Sequence, residues 1–274
     1  MINKILIPTD FSDVAENALN YALNVAEKSG ASLHILHVKQ VPIMDATYPA
    51  DTYQLYAAEM EELEEDNMKK LEASLLGKTA VDHTFFSTMG FVADEVVAHA
   101  EEHGIDLIIM GTTGASGIAE LLVGSNAASV IGKALVPVLV IPPGHSYKNI
   151  NHILYSTDFN EPEFPAVSRM MYFAELYDAK ISVLHVKTES DKYFNSENNF
   201  FARNKEQFEK HEVNIINVAE GDVSETIDKY VDDLNIDMLV MAKHNRSFFD
   251  RLFHRSLSKK MAYHSKVPLL VVNK

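Results

Sequence analysis

The chain repeats itself, and that repeat constrains the fold more than any other feature. Ile5-Leu6-Ile7-Pro8-Thr9-Asp10-Phe11 returns as Ile153-Leu154-Tyr155-Ser156-Thr157-Asp158-Phe159, an offset of 148 residues. Leu36-His37-Val38-Lys39 returns as Leu184-His185-Val186-Lys187 at the same offset. Further on, Ile105-Asp106-Leu107-Ile108-Ile109-Met110 matches Ile236-Asp237-Met238-Leu239-Val240-Met241 at an offset of 131. Val136-Pro137-Val138-Leu139-Val140 matches Val267-Pro268-Leu269-Leu270-Val271 at that offset too. The order of elements is kept, and the second copy is shorter in its middle. Two copies are too few to stack as a solenoid, but each is long enough to bury a core of its own. The expected organisation is two domains, residues 1–144 and 150–274, joined through the turn-rich Pro142-Pro143-Gly144-His145-Ser146.

Within the first copy, short apolar runs alternate with helical patterns. Strands are expected at Ile2–Pro8, Ser32–Val38, Ala80–Ser87, Asp106–Met110 and Pro137–Ile141. A first helix follows Ser12 or Asp13, with Val14, Ala18, Tyr21 and Val25 on its apolar face, and stops at Gly30. A long acidic helix covers Tyr53–Leu76, with Met60, Leu63 and Leu71 inward. Its run Glu59-Met60-Glu61-Glu62-Leu63-Glu64-Glu65-Asp66 reads as a solvated face. Helices over Val92–His103 and Asn126–Ala134 complete the unit. Strands separated by helices require parallel pairing and right-handed crossovers. The fold class is therefore α/β: two tandem open five-stranded parallel sheets flanked by helices. Ligands on such sheets sit at the carboxyl ends of the strands, near the reversal in strand order. Those ends carry Thr9-Asp10, His37-Val38 and Met110-Gly111.

Composition removes several functions. The chain has no cysteine, which excludes disulfides, thiolate metal sites and cysteine nucleophiles. With 24 Lys+Arg against 39 Asp+Glu the net charge is −15, which repels nucleic-acid backbones and anionic membranes. The apolar start Ile5-Leu6-Ile7 is too short for a signal peptide, and no apolar run reaches membrane-spanning length. The expectation is a soluble cytoplasmic protein with no nucleic-acid or membrane partner.

The informative segment is Met110-Gly111-Thr112-Thr113-Gly114-Ala115-Ser116-Gly117, continuing to Leu122-Val123-Gly124-Ser125-Asn126. It leaves the fourth strand, passes several glycines and re-enters helix. Glycine permits positive φ and close approach of backbone to a ligand. Amides at the start of the following helix attract anions, and Thr112 and Ser125 add hydroxyls. This describes a phosphate cradle. It is no Walker A loop, because no Gly-Lys-Ser/Thr follows, and no dinucleotide fingerprint, which sits after the first strand.

At these residues the chain resembles the universal stress protein family. That family's ATP signature is Gly, two residues, Gly, nine residues, Gly, then Ser or Thr; here it is Gly111, Gly114, Gly124 and Ser125. The opening Ile5–Ser12 resembles the family's first strand, and the likeness covers nearly the whole chain as a tandem pair. The resemblance implies a Rossmann-like fold of the adenine-nucleotide-binding kind and an ATP site in the first half. Pro8, Thr9 and Asp10 would lie beside the nucleotide, with Asp10 helping to hold Mg²⁺. Val38 would contact adenine through its backbone, and Met110 and Gly111 would border the ribose. Gly114, Gly124, Ser125 and Asn126 would hold the phosphates, with Thr112 as an added donor. A plain turn or cap after the strand is the structural alternative for Asp10.

The second half departs from this pattern. Ala242, Asn245 and Arg255 stand where the first half has Gly111, Gly114 and Gly124; only Ser256 keeps its counterpart, Ser125. A bulky Arg255 is expected to fill phosphate space, so no ATP site of the family type is expected there. The segment is also basic, with Lys243, Arg246, Arg251, Arg255, Lys259, Lys260 and Lys266 against Asp250. It reads as a replacement anion site, as a surface pairing with acidic helices, or as ordinary surface charge. His244, His254 and His264 recur every ten residues, which fits no common zinc-helix spacing. His37 and His185 repeat at matching strand ends and read as structural.

Three function classes follow. The resemblance implies a nucleotide-binding stress-response sensor or regulator. A slow ATP hydrolase is the enzymatic alternative. However, no Lys or Arg lies within residues 111–132 to stabilise developing charge. A nonenzymatic interaction scaffold with a different anionic ligand in the second half is the third. Family members pair through their last strands, which implies an intramolecular pseudo-dimer and leaves a homodimer open.

Overall fold

The computed structural model describes residues 1–39, 50–112, 124–157, 159, 164–187, 200, 202–208, 211–219, 221–243 and 266–272, with residues 50–57 described by backbone alone. In the first half the elements are β1 (Lys4–Thr9), α1 (Asp13–Ser29), β2 (Ser32–Lys39), α2 (Ala50–Leu75), β3 (His83–Met89), α3 (Val92–Glu102), β4 (Leu107–Gly111), α4 (Ser125–Lys133) and β5 (Val138–Ile141). In the second half they are β6 (His152–Thr157), α5 (Phe164–Tyr177), β7 (Lys180–Val186), α6 (Lys205–Phe208), β8 (Val213–Val218), α7 (Val223–Asp233), β9 (Met238–Ala242) and β10 (Leu269–Val272).

Local chemistry accounts for the element ends. Ser12 caps α1, its hydroxyl accepting from Ala15 N at 3.3 Å. Asp13 and Glu16 sit in the first turn, where the helix dipole favours acids. Gly30 closes the helix at φ +74°, and its N–H donates to Ala26 O at 2.8 Å. β3 begins three residues later than its sequence pattern predicts. Thr79 Oγ1 accepts from Val81 N at 3.0 Å, and that turn delays the strand.

The sheet corrects one expectation. Instead of two sheets there is a single ten-stranded one, ordered β3-β2-β1-β4-β5-β10-β9-β6-β7-β8. All pairings within each half are parallel, and the halves meet antiparallel at β5 and β10, Leu269 opposite Val140 and Val271 opposite Val138. The physical reason lies in those two strands. Val138-Leu139-Val140-Ile141 and Leu269-Leu270-Val271-Val272 are apolar throughout and buried at every position. An exposed edge of that composition would recruit other strands, and each half covers the other's.

Side-chain alternation along the strands divides the interior into two layers. Ile5 and Ile7 face one layer with α1 and α5; Leu6 faces the other with α3, α4 and α7. Both layers run through the β5–β10 seam into the second half, taking in Tyr155 and Leu270 on one side and Leu154 and Leu269 on the other. The linker packs as well: Asn17 Nδ2 donates to His145 O at 2.9 Å, and Tyr147 meets Tyr21 edge-on at 5.0 Å. On α2, Met60 and Leu71 are partly buried as expected, but Leu63 is 51% exposed. The inward turn uses Glu64 instead, for a reason that appears in the crevice described next.

Candidate functional site: the crevice at the ends of β1 and β4

In the order β3-β2-β1-β4-β5 the chain reverses direction of growth between β1 and β4. Their pairing, Ile5 with Leu107 and Leu6 with Ile108, stops short of the carboxyl ends, and a reversal of this kind is where α/β sheets form a ligand crevice. On the β1 side, Pro8 is partly buried and Thr9 is buried. Thr9 Oγ1 accepts from Phe11 N at 3.1 Å, and Thr9 O accepts from His37 Nδ1 at 2.9 Å. Asp10 is exposed, and its Oδ1 accepts from Ser12 N at 3.1 Å and Ser12 Oγ at 2.6 Å. Asp10 thus fixes the turn that delivers the α1 cap.

Phe11, between Asp10 and Ser12, has φ +62°, a left-handed conformation costly for a bulky residue. Its ring lies 4.5 Å from the His37 ring. The second half reproduces this corner: Phe159 has φ +56°, its ring is 4.5 Å from His185, and Thr157 O accepts from His185 Nδ1 at 3.0 Å. His37 and His185 are thus hydrogen-bonded struts that hold each corner. His37 Nε2 is buried without a hydrogen-bond partner among the described residues, and Glu64 Oε1 of α2 stands 3.6 Å away. Lys39 Nζ reaches Glu61 and Glu64 at 3.5 and 3.9 Å. These contacts draw Glu64 inward, and no apolar periodicity announces them. Val38, buried, is the penultimate residue of β2, beside this group.

On the β4 side, Met110 is buried and Gly111 pairs with Ile141. A Cβ on Gly111 would come within 2.5 Å of Val14 Cγ1 and 3.2 Å of Val14 O. The glycine is needed so that β4 and α1 can approach. Thr112 is buried; its N–H donates to Ile141 O at 3.1 Å, and its carbonyl accepts from Gly124 N. Its Oγ1 is buried with no hydrogen-bond partner among the described residues. Gly114 lies outside the described residues.

Gly124 is the N-cap of α4 at φ −61°, ψ 158°. Neither Gly111 nor Gly124 has a positive φ, so the expectation that they supply left-handed backbone is corrected. Gly124 also spends its own amide on Thr112 O. The first intrahelical bond is Ala128 N to Gly124 O at 2.9 Å, and Gly124 as N-cap has no side chain to offer the helix. Among the described residues, nothing accepts from the amides of Ser125, Asn126 and Ala127. Ser125 and Asn126 are exposed, and the first turn carries no acid. The arrangement can accept an anion at α4, beside a threonine hydroxyl that has no partner among the described residues.

The second half differs at the same places. Ala242, aligned with Gly111, is buried. Lys243, aligned with Thr112, keeps the backbone bond, donating from N to Val272 O at 2.7 Å. Its side chain crosses to the first half, where Nζ donates to Gly132 O at 2.6 Å in the last turn of α4. Burial lowers the Lys243 pKa below that of an ordinary lysine. Lys266 instead pairs with Asp232 of α7 at 2.6 Å. Phe200 covers the Phe159 corner at 5.0 Å, whereas Phe11 stays partly exposed. Asp158, His244, Asn245, Arg246, Asp250, Arg251, His254, Arg255, Ser256, Lys259, Lys260 and His264 lie outside the described residues.

A sheet with this strand order, helices on both faces and a crevice at the reversal defines a Rossmann-like α/β protein built as a tandem pair. The profile described as the Universal stress protein family matches residues 1–142 and again 149–273. The chain is a tandem member of the universal stress protein family. Universal stress protein MJ0531 of Methanocaldococcus jannaschii is 34% identical over 141 residues, 52% of this chain and 82% of that protein. Universal stress protein YxiE of Bacillus subtilis is 31% identical over 149 residues, 52% of this chain and 99% of that protein. The crystal structure of a universal stress protein from Archaeoglobus fulgidus shares the whole fold. Its TM-score is 0.72 at 20% identity, covering 99% of this chain and 96% of that one.

Proposed function

We propose that this protein binds ATP with Mg²⁺ in its N-terminal half and acts as a nucleotide-responsive regulator. In this reading it is one unit of residues 1–144 with an intact site, joined as an intramolecular pseudo-dimer to a degenerate unit of residues 150–274. The observation that carries the reading is the start of α4, whose N-cap Gly124 brings no capping side chain, beside the buried Thr112 hydroxyl, which has no hydrogen-bond partner among the described residues. A polyphosphate would satisfy both, because it brings acceptors to the amides at an open helix N-terminus and to the Thr112 hydroxyl beside it.

The residues present fit the group. Ser125 and Asn126 hold the phosphates through backbone and side-chain donors, Thr112 adds its hydroxyl, and Gly124 sets the approach. Gly114 belongs to the same loop. Met110 and Gly111 border the ribose, Val38 and Pro8 flank the base, and Thr9 anchors the corner. Asp10 is the carboxylate that would hold Mg²⁺, which when bound neutralises the phosphates facing it. Family membership supports the reading, as does the loop spacing of Gly111, Gly114, Gly124 and Ser125. No helix among the described residues is long and apolar enough to cross a membrane.

Titration calorimetry with Mg–ATP tests this directly. The expected result is one site per chain, lost in Gly124→Arg, which copies the residue at position 255. A folded wild-type protein that binds no nucleotide, or two sites of equal affinity, overturns it.

A further inference from the structure

Far from the crevice, three imidazoles converge between β2 and α3. His34 projects from β2 into the layer that holds Ala93, Val96 and Ala100 of α3, and its Nδ1 lies 3.1 Å from His99 Nε2. His99 and His103 are one helical turn apart, with ring centroids 4.1 Å from each other. His34 stands 5.4 Å from the His99 ring and 5.3 Å from that of His103. One ring nitrogen from each residue lies within 4.8 Å of the others. Phe86 of β3 packs against all three, at 4.8, 4.6 and 5.2 Å from His34, His99 and His103.

We propose that His34, His99 and His103 form a binding site for a divalent transition-metal ion of the Zn²⁺ class. Zinc sits about 2.1 Å from imidazole nitrogen, so tetrahedral ligands stand roughly 3.3 Å apart. The His34–His99 pair already has that spacing, and all three ring nitrogens lie within 4.8 Å of one another. Two histidines four residues apart on a helix, joined by a third from a strand, give a three-nitrogen face and leave a fourth position to water. The surroundings hold the rings in place: Phe86 fixes their planes, and Lys4 Nζ donates to His103 O at 2.9 Å, which fixes the end of α3. Among the described residues no carboxylate makes an ion pair with any of the three; His34 Nδ1 and His99 Nε2 share a hydrogen bond, and a metal would take the place of its proton.

The cluster belongs to one half only. At the aligned positions the second half has Ser182, Tyr230 and Leu234. Ser182 is buried and bonds to His152 Nε2 at 2.9 Å, while His152 Nδ1 takes over the role of Lys4 by donating to Leu234 O at 3.1 Å. The shared scaffold therefore does not require three histidines here. His34 lies four residues before Val38 along β2, roughly 13 Å at strand rise. A metal there would pin α3 to β2 from the opposite end of the sheet, separate from any nucleotide.

The test uses tag-free, chelator-treated full-length protein. ZnCl₂ is titrated by calorimetry, and CoCl₂ by visible absorption, which reports tetrahedral nitrogen ligation. One equivalent is expected to bind, with a rise in melting temperature. His34→Gln, His99→Ala and His103→Gln should each weaken binding roughly 100-fold or more, while His83→Gln and His152→Gln should leave it unchanged. If His99→Ala does not fold, His103→Gln at the helix end decides the matter. Absence of stoichiometric binding, or binding that survives all three cluster substitutions, refutes the site.

Discussion

Gly111 offers a sharp test, because packing and ligand binding make different demands on it. In Gly111→Ala the new methyl would start 2.5 Å from Val14 Cγ1 and 3.2 Å from Val14 O. Carbon atoms pack at about 3.5–4.0 Å, so β4 or α1 must yield by roughly 1 Å. Overpacking of that kind costs about 1–3 kcal/mol, which in a chain of this size lowers the melting temperature by roughly 2–5 °C. Val14→Ala alone removes partly buried methyls and costs about 1 kcal/mol. Combined, the two changes should recover much of the loss, with a favourable coupling of about 1–2 kcal/mol. Calorimetric melts of the four proteins measure this. The double variant should also keep Mg–ATP affinity within about threefold, because the backbone at Gly111 is what would face the ribose. A Gly111→Ala protein that melts with the wild type, or a strictly additive double variant, refutes the close approach.

Ser12→Ala removes the α1 cap and the hydroxyl bond to Asp10, leaving the backbone bond from Ser12 N; a loss of about 1 kcal/mol in urea unfolding is expected. Thr112→Val replaces a buried hydroxyl that has no partner among the described residues, so stability should hold or rise by up to about 1 kcal/mol while Mg–ATP affinity falls. Equal affinity would remove Thr112 from the site. Burial first, and the Lys148 charge second, lower the pKa of His145 in the linker. The unfolded chain then takes up that proton at higher pH than the folded one. The stability this group confers is full above about pH 6.5 and declines as pH falls below it. His145→Gln should flatten that part of the pH–stability curve measured by urea unfolding.

Much of the fold was legible because its inner strands, such as β4, β5, β9 and β10, are buried on both faces and read as nearly unbroken apolar runs. The duplication fixed their order twice over. The joining of the halves was less visible: β5 and β10 announce themselves as apolar, but their antiparallel partnership is a fact of space. The crevice shows the same division. Asp10, Val38, Thr112, Ser125 and Asn126 could be placed at strand and helix ends from spacing alone. The reason for Gly111 could not, because Val14 lies far away in sequence and meets it only when α1 docks on β4. Glu64 sits within an acidic run whose other members face solvent, and only His37 and Lys39 single it out. The histidine cluster carried one local signal, His99 and His103 a helical turn apart, but its third member comes from a strand 65 residues earlier.

The central claim is that one half of a symmetric-looking molecule grips a nucleotide at the bare amides of α4. A crystal structure of the full chain grown with Mg–ATP examines that claim most directly. Density for the triphosphate is expected against Ser125, Asn126 and Thr112, with Mg²⁺ toward Asp10. Nucleotide density in the C-terminal half, or an N-terminal crevice that stays closed at saturating ATP, would contradict it.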